Sequence, residues 1–86
     1  MPVDYDKLNA MRLRTSAFKV LCFLAFKDGA LKPSEIAEST GEKPSTVRAR
    51  LTELKASGLV ESRSGGWVSA VRPYDILMKM YRELRG

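Results

Sequence analysis

The sequence predicts a small, mainly α-helical domain carrying one β-hairpin, and three observations predict it. Apolar residues recur at three- and four-residue spacing in several separate segments. These segments are punctuated by helix starters, Thr15 or Ser16, Ser34, Pro44 and Pro73, and by stop glycines, Gly29, Gly41 and Gly58. Between residues 58 and 71, two β-prone runs flank Ser64, Gly65 and Gly66, as in a hairpin. A chain of 86 residues with 44% hydrophobic content suffices for one domain, residues 1–86, with a core at 15–71 and terminal helices at 5–13 and 73–85.

The segment from Thr15 to Phe26 is the most apolar. Phe18, Val20, Leu21 and Leu24 share a stripe, which makes it a central supporting helix before Asp28 and Gly29. Phe23 and Phe26 fall off that stripe, so the helix is expected to be covered on more than one side. Cys22 lies in the same stretch and reads as a buried structural thiol. Being the sole cysteine, it excludes an internal disulfide and cannot by itself form a zinc site.

Residues 32–41 read as a short helix in which Ser34 is a candidate N-cap, Ile36 and Ala37 point inward and Gly41 closes the end. A tight turn leads to a second helix over residues 44–57, where Val47, Leu51 and Leu54 face the core. Opposite that stripe lie Ser45, Ala49, Thr52 and Ala56, with Arg48 and Lys55 on one flank and Arg50 on the other. Such a face is small in the middle and cationic at its edges. A helix of this kind fits the major groove of DNA, with Arg and Lys reaching base edges or phosphates on the walls. Two helices joined by three or four residues form a helix-turn-helix unit, whose second helix enters the groove. The hairpin over residues 59–71 follows directly and reads as a wing.

Thr15 to Val71 resembles the winged helix-turn-helix of the MarR, ArsR and TrmB kind of prokaryotic transcription regulators. The matching words are Phe18 to Leu21, Pro33 to Gly41, Ser45 to Val60 and the wing. The resemblance implies a double-stranded DNA-binding transcriptional regulator, with the helix over 44–57 in the major groove and the wing on flanking backbone or minor groove. It carries base contact to Ser45, Thr46, Arg48, Ala49 and Thr52, and wing contact to Arg63. Around them, Lys43, Pro44, Arg50 and Lys55 complete the expected DNA surface. At Lys43 the chain departs from the Ser or Thr usual before this helix; lacking an oxygen cap, Lys43 is a candidate phosphate contact.

The charge distribution agrees. Residues 1–42 carry six positive and six negative side chains, residues 43–63 five and two, and residues 64–86 four and two, so the net +5 sits on the second helix, the wing and the tail. A basic surplus attracts polyanions by counterion release, a term blind to sequence. With no His, no Gly-rich phosphate loop and no paired carboxylates in an apolar setting, the composition offers no catalytic base, and an enzyme is not expected. No cofactor, metal or small-molecule effector is indicated. No apolar run approaches the ~18 residues of a spanning helix. The start at Met1 to Lys7 has no signal-segment pattern, so a cytoplasmic location is expected.

The terminal helices remain to be placed. Tyr74, Leu77, Met78, Tyr81 and Leu84 form one stripe, and Leu8 and Met11 are its counterparts near the N-terminus. In the resembled families such helices commonly form a homodimer interface, which is the expectation for these seven residues; the alternative is that they close the monomer's own core. Trp67 is expected to anchor the wing to the body rather than stack on a base. Tyr5, Tyr74 and Tyr81 lack the interleaved basic cluster of a single-strand platform. Alternative functions are a winged-helix protein-interaction module in a transcription or replication assembly, or a non-specific DNA-coating architectural protein. Double-stranded RNA is a weaker candidate, since its deep, narrow major groove does not admit a helix.

Overall fold

The computed structural model describes residues 3–86, so Met1 and Pro2 of the N-terminal stretch read above lie outside the described residues. Among them the order is α1 (Tyr5–Ala10), α2 (Ser16–Phe26), α3 (Pro33–Thr40), α4 (Pro44–Ala56), β1 (Val60–Arg63), β2 (Gly66–Ser69) and α5 (Pro73–Arg85). The mainly helical class with one antiparallel hairpin is the one the sequence predicts.

Local chemistry sets each boundary. Asp4 caps α1 by accepting from Lys7 N–H at 3.0 Å. The helix ends at Ala10 rather than 13 because residues 12–15 fold into a turn, in which Thr15 N–H and Thr15 Oγ1 both donate to the Arg12 carbonyl. The same Thr15 Oγ1 accepts from Phe18 N–H at 3.3 Å, so Thr15 rather than Ser16 caps α2. Ser34 is not the cap of α3: Lys32 occupies that position, Pro33 is the first helical residue, and Glu35 Oε1 accepts from Lys32 N–H at 2.9 Å. Gly41 and Gly58 take left-handed φ values of 76° and 71° at the ends of α3 and α4.

The core joins α2 (Phe18, Val20, Leu21, Leu24), α3 (Ile36, Ala37) and α4 (Val47, Leu51, Leu54) with Leu59, Val60 and Val71 around the hairpin and Ile76 of α5. In the hairpin Val60 pairs with Ser69 and Arg63 with Gly66, leaving Ser64-Gly65 as a two-residue tip. A backbone bridge docks it on the body: Leu31 N–H donates to the Trp67 carbonyl at 3.0 Å, and Trp67 N–H donates to the Leu31 carbonyl at 2.8 Å. Gly66 has φ 148° and lies so close to Leu31 that a Cβ would collide with its backbone, so only glycine permits this docking. Trp67 is half-buried on the core and anchors the wing, as expected. Ser69 Oγ donates to the Val71 carbonyl and accepts from Val71 N–H, turning the chain into α5.

The helix α2 is covered on more than one side, as expected, by α3, α4, β2 and α5, with Phe23 packed against the core and Phe26 half exposed. Two expectations are corrected. Leu8 is 1% exposed and closes the monomer's own core, and Met11 packs partly buried against that core. Cys22 is half-buried rather than enclosed, in an apolar groove with Leu13, Phe23 and Met80, and burial pushes its thiol up to about 11.

Lys79 is the unforeseen member of the core. At 1% exposure it lies among the apolar residues, yet its ammonium donates to the Asn9 carbonyl at 3.1 Å and to Glu83 Oε2 at 2.6 Å, and sits 5.8 Å from the Phe18 ring centroid. Arg82 adds a bond to Asn9 Oδ1 at 2.8 Å, so two cations of α5 hold the end of α1.

Replacing Lys79 by Ala is expected to cost about 2–4 kcal/mol in urea unfolding, through loss of the packed stem and of the α1 tie. Lys79→Met keeps the stem and is expected to cost under about 1.5 kcal/mol, because it also removes the desolvated charge and Glu83 regains solvent. Equal costs for the two would contradict the packing account. For Cys22, the thiolate fraction at pH 8 is about a hundredfold below that of an ordinary thiol, offset in part by the greater nucleophilicity of a more basic sulfur. Alkylation by iodoacetamide is therefore expected to run about tenfold slower in the folded chain than in urea. Because the folded chain holds the proton more tightly, this group's contribution to stability is full below the ordinary value of 9.0 and is lost as pH rises towards about 11.

Candidate nucleic-acid interface

The solvent face of α4 is set by what its other face buries. With Val47, Leu51 and Leu54 in the core, Ser45, Arg48, Ala49, Thr52, Lys55 and Ala56 are exposed, and Thr46 and Arg50 lie half-buried at its margin. Thr52 Oγ1 donates to the Arg48 carbonyl at 3.0 Å, so the hydroxyl is turned along the helix. The middle of the face carries only small side chains.

The turn before α4 runs from Gly41 to Lys43 and is braced from both sides. Gly41 N–H donates to the Ala37 carbonyl at 2.9 Å, and Thr40 Oγ1 donates to the Ile36 carbonyl at 2.7 Å while accepting from Glu42 N–H at 3.4 Å. Glu42 then accepts from Lys19 Nζ of α2 at 3.0 Å. This Lys19–Glu42 pair ties the turn to the supporting helix and escaped the sequence reading, since the two residues are far apart in the chain. Lys43 is the N-cap and makes no side-chain cap bond, and Pro44 is the first helical residue; both are exposed.

The cations on this side fall into two groups. Arg50 Nη2 lies 3.3 Å from Glu53 Oε2, and its Nε is buried without a hydrogen-bond partner. Arg63 on the wing lies 3.0 Å from Glu61 Oε1. Among the described residues Lys43, Arg48 and Lys55 make no ion pair on this surface. Lys55 instead lies 5.9 Å from the Trp67 ring centroid, so the end of α4 and the start of β2 share a cation–π contact. The structure therefore gathers Lys43, Pro44, Ser45, Arg48, Ala49, Thr52 and Lys55 on one exposed surface, and leaves Arg50 and Arg63 at its edges, each bound to a carboxylate.

Among the described residues no helix is long and apolar enough to cross a membrane. The IclR helix-turn-helix domain matches residues 16–64, more than half of the chain, from the first residue of α2 to the wing tip. The match supports a winged helix-turn-helix of transcription regulators; it does not carry the narrower likeness to MarR, ArsR and TrmB proteins. Comparison with curated proteins and with solved structures finds no significant match. A supporting helix, a helix-turn-helix with a basic, small-centred outer face and the first strand of a wing all fall inside the matched segment, and the chain belongs to the IclR helix-turn-helix domain family, the DNA-binding domain of transcription regulators.

Proposed function

We propose that this chain regulates transcription by binding double-stranded DNA as a homodimer, with α4 in the major groove and the wing over the adjacent backbone or minor groove. The observation that carries this reading is the composition of the exposed α4 face: Ser45, Ala49 and Thr52 in the middle, with Lys43, Arg48 and Lys55, which make no ion pair among the described residues, around them. Small central residues let the helix axis approach the base edges, and the flanking cations meet the phosphate walls.

Arg48 is the main base reader. Its guanidinium is free to form a bidentate contact with guanine, whereas Arg50 must first leave Glu53. Ser45 and Thr46 supply shorter hydrogen-bonding groups in the first turn. The absence of an oxygen cap at Lys43 leaves first-turn amide hydrogens of α4 without a side-chain acceptor, and a phosphate satisfies them while the Lys43 ammonium adds charge. Lys55 and Arg63 contact backbone on either side of the wing. A dimer places two such helices about 34 Å apart, one turn of DNA, and reads a palindrome.

The test is fluorescence anisotropy against duplexes selected from a random pool and against random duplex, at several salt concentrations. An enriched palindrome is the expected outcome. Arg48→Ala is expected to lose about 1–3 kcal/mol on the selected site and to relax one base position, while Lys43→Ala weakens all duplexes and lowers the salt slope by about 1. Arg50→Ala should fall below Arg48→Ala in effect. Absence of duplex binding at low salt would overturn the proposal in favour of a protein-interaction module.

A further inference from the structure

Glu42 joins α4 to the rest of the domain at a point the core does not reach. The three buried residues of α4, Val47, Leu51 and Leu54, span about 10 Å of its axis. Lys43, Pro44 and Ser45 lie beyond their N-terminal end and are exposed. Core packing therefore sets the rotation of the helix, whereas its first turn is held chiefly through the Gly41–Lys43 turn that precedes it.

Most hydrogen bonds around that turn are local. Gly41 N–H donates back into α3, Val47 N–H donates to the Lys43 carbonyl, and Glu42 N–H donates to Thr40 Oγ1 two residues away. Among the described residues one bond reaches α2, from Lys19 Nζ to Glu42 Oε2 at 3.0 Å. The Lys19 side chain is 51% exposed and that of Glu42 20%, so the carboxylate is the more enclosed partner, seated against the domain rather than extended into solvent.

Charge alone gives no reason for a carboxylate at this position. Glu42 immediately precedes Lys43 at the edge of a cationic surface, where a negative charge repels phosphate and lowers affinity for any duplex, whatever its sequence. Stability gives little more, since an ion pair with a half-exposed member contributes weakly to folding. What the pair supplies is position. A hydrogen bond of about 2.9 Å is lost when its donor moves by about 1 Å, while attraction to phosphate falls off gradually with distance. Holding the first turn of α4 therefore matters far more to base reading than to general attraction.

We infer that Lys19 and Glu42 are positioning residues for base reading. Neither touches DNA; the pair fixes the first turn of α4, lowers affinity for duplex in general and raises the ratio of selected over random duplex. Ser45, in that first turn, and Arg48, one turn later, are the groups it places. The inference rests on the DNA-binding reading proposed above and assigns specificity to two residues outside the surface which that reading uses.

Anisotropy titrations of the full chain at one salt concentration, against selected and random duplex, test it together with amide hydrogen exchange without DNA. Glu42→Ala is expected to bind random duplex about two- to threefold more tightly, because a repelling charge is gone, while the selected-over-random ratio falls about tenfold. Lys19→Met keeps the stem and is expected to show the same fall in ratio, with affinity for random duplex lowered about two- to threefold. Lys19→Arg restores the pair, and its ratio is expected to match the parent's. In the two disrupting variants the Glu42 and Val47 amides are expected to exchange about fivefold faster relative to those of α2, at an unchanged thermal midpoint. A Lys19→Met chain that loses selected and random duplex equally would make Lys19 a phosphate contact and overturn the inference. An unchanged ratio in Glu42→Ala, unchanged exchange in both variants, or a parent chain with no preference for any selected sequence would overturn it as well. A parent chain that binds no duplex at all rejects the DNA-binding reading and the specificity role with it, whereas a parent that discriminates, with variants that keep its ratio, rejects this inference alone.

Discussion

Packing of α4 on α2 fixes the rotation of α4 about its own axis, and the exposed surface of the domain follows from that rotation. Val47, Leu51 and Leu54 enter the core beside Val20, Leu21 and Leu24. Each fully buried side chain of this kind contributes roughly 1.5–3 kcal/mol, whereas an isolated 13-residue helix is marginal in water. α4 is therefore a helix because it is packed, and its outward face is the complement of what it buries. A helix of the same composition rotated by one residue, about 100°, would turn Arg48 towards the core and lose the small central strip.

Polar contacts then refine the placement that packing makes. The Lys19–Glu42 pair holds the turn against α2, and the reciprocal Leu31–Trp67 bonds hold the wing. Lys55 against Trp67 links the end of α4 to that wing. None of these is worth much singly: an exposed pair such as Lys19–Glu42 contributes at most about 1 kcal/mol. Their effect is on geometry, since each restricts an element that already has a hydrophobic reason to be there.

Lys79 follows a different logic. Desolvating an ammonium is expensive unless it is bonded, and here a backbone carbonyl, a carboxylate and an aromatic face surround it. The carbonyl belongs to Asn9, near the end of α1, so the buried charge gives that short helix a specific partner that an apolar side chain would not. It also divides α5 into an inner face committed to the monomer and an outer face, Tyr74 to Leu84, left for something else.

The order of elements was legible in the sequence, because it is written in local chemistry: Thr15, Pro44 and Pro73 at helix starts, Gly41 and Gly58 in left-handed stops, and Gly65 at the wing tip. Periodicity likewise identified which residues of α4 share a face, and hence most of the candidate DNA surface. It could not say which faces meet which neighbours. Leu8 and Leu77 look alike as apolar members of terminal helices, yet one is buried and the other open to solvent. Lys79 reads as a surface residue from its charge alone. Arg48 and Arg50 flank the same strip in sequence, but only the folded chain turns Arg50 to Glu53 and leaves Arg48 free among the described residues. The sequence by itself determined the helices, the hairpin and the side of α4 that faces out, since these depend on neighbours within a few residues. Only the tertiary structure decided the burial of Leu8 and Lys79, the exposure of Cys22 and Phe26, and which cations are free, because each depends on atoms brought close from distant parts of the chain.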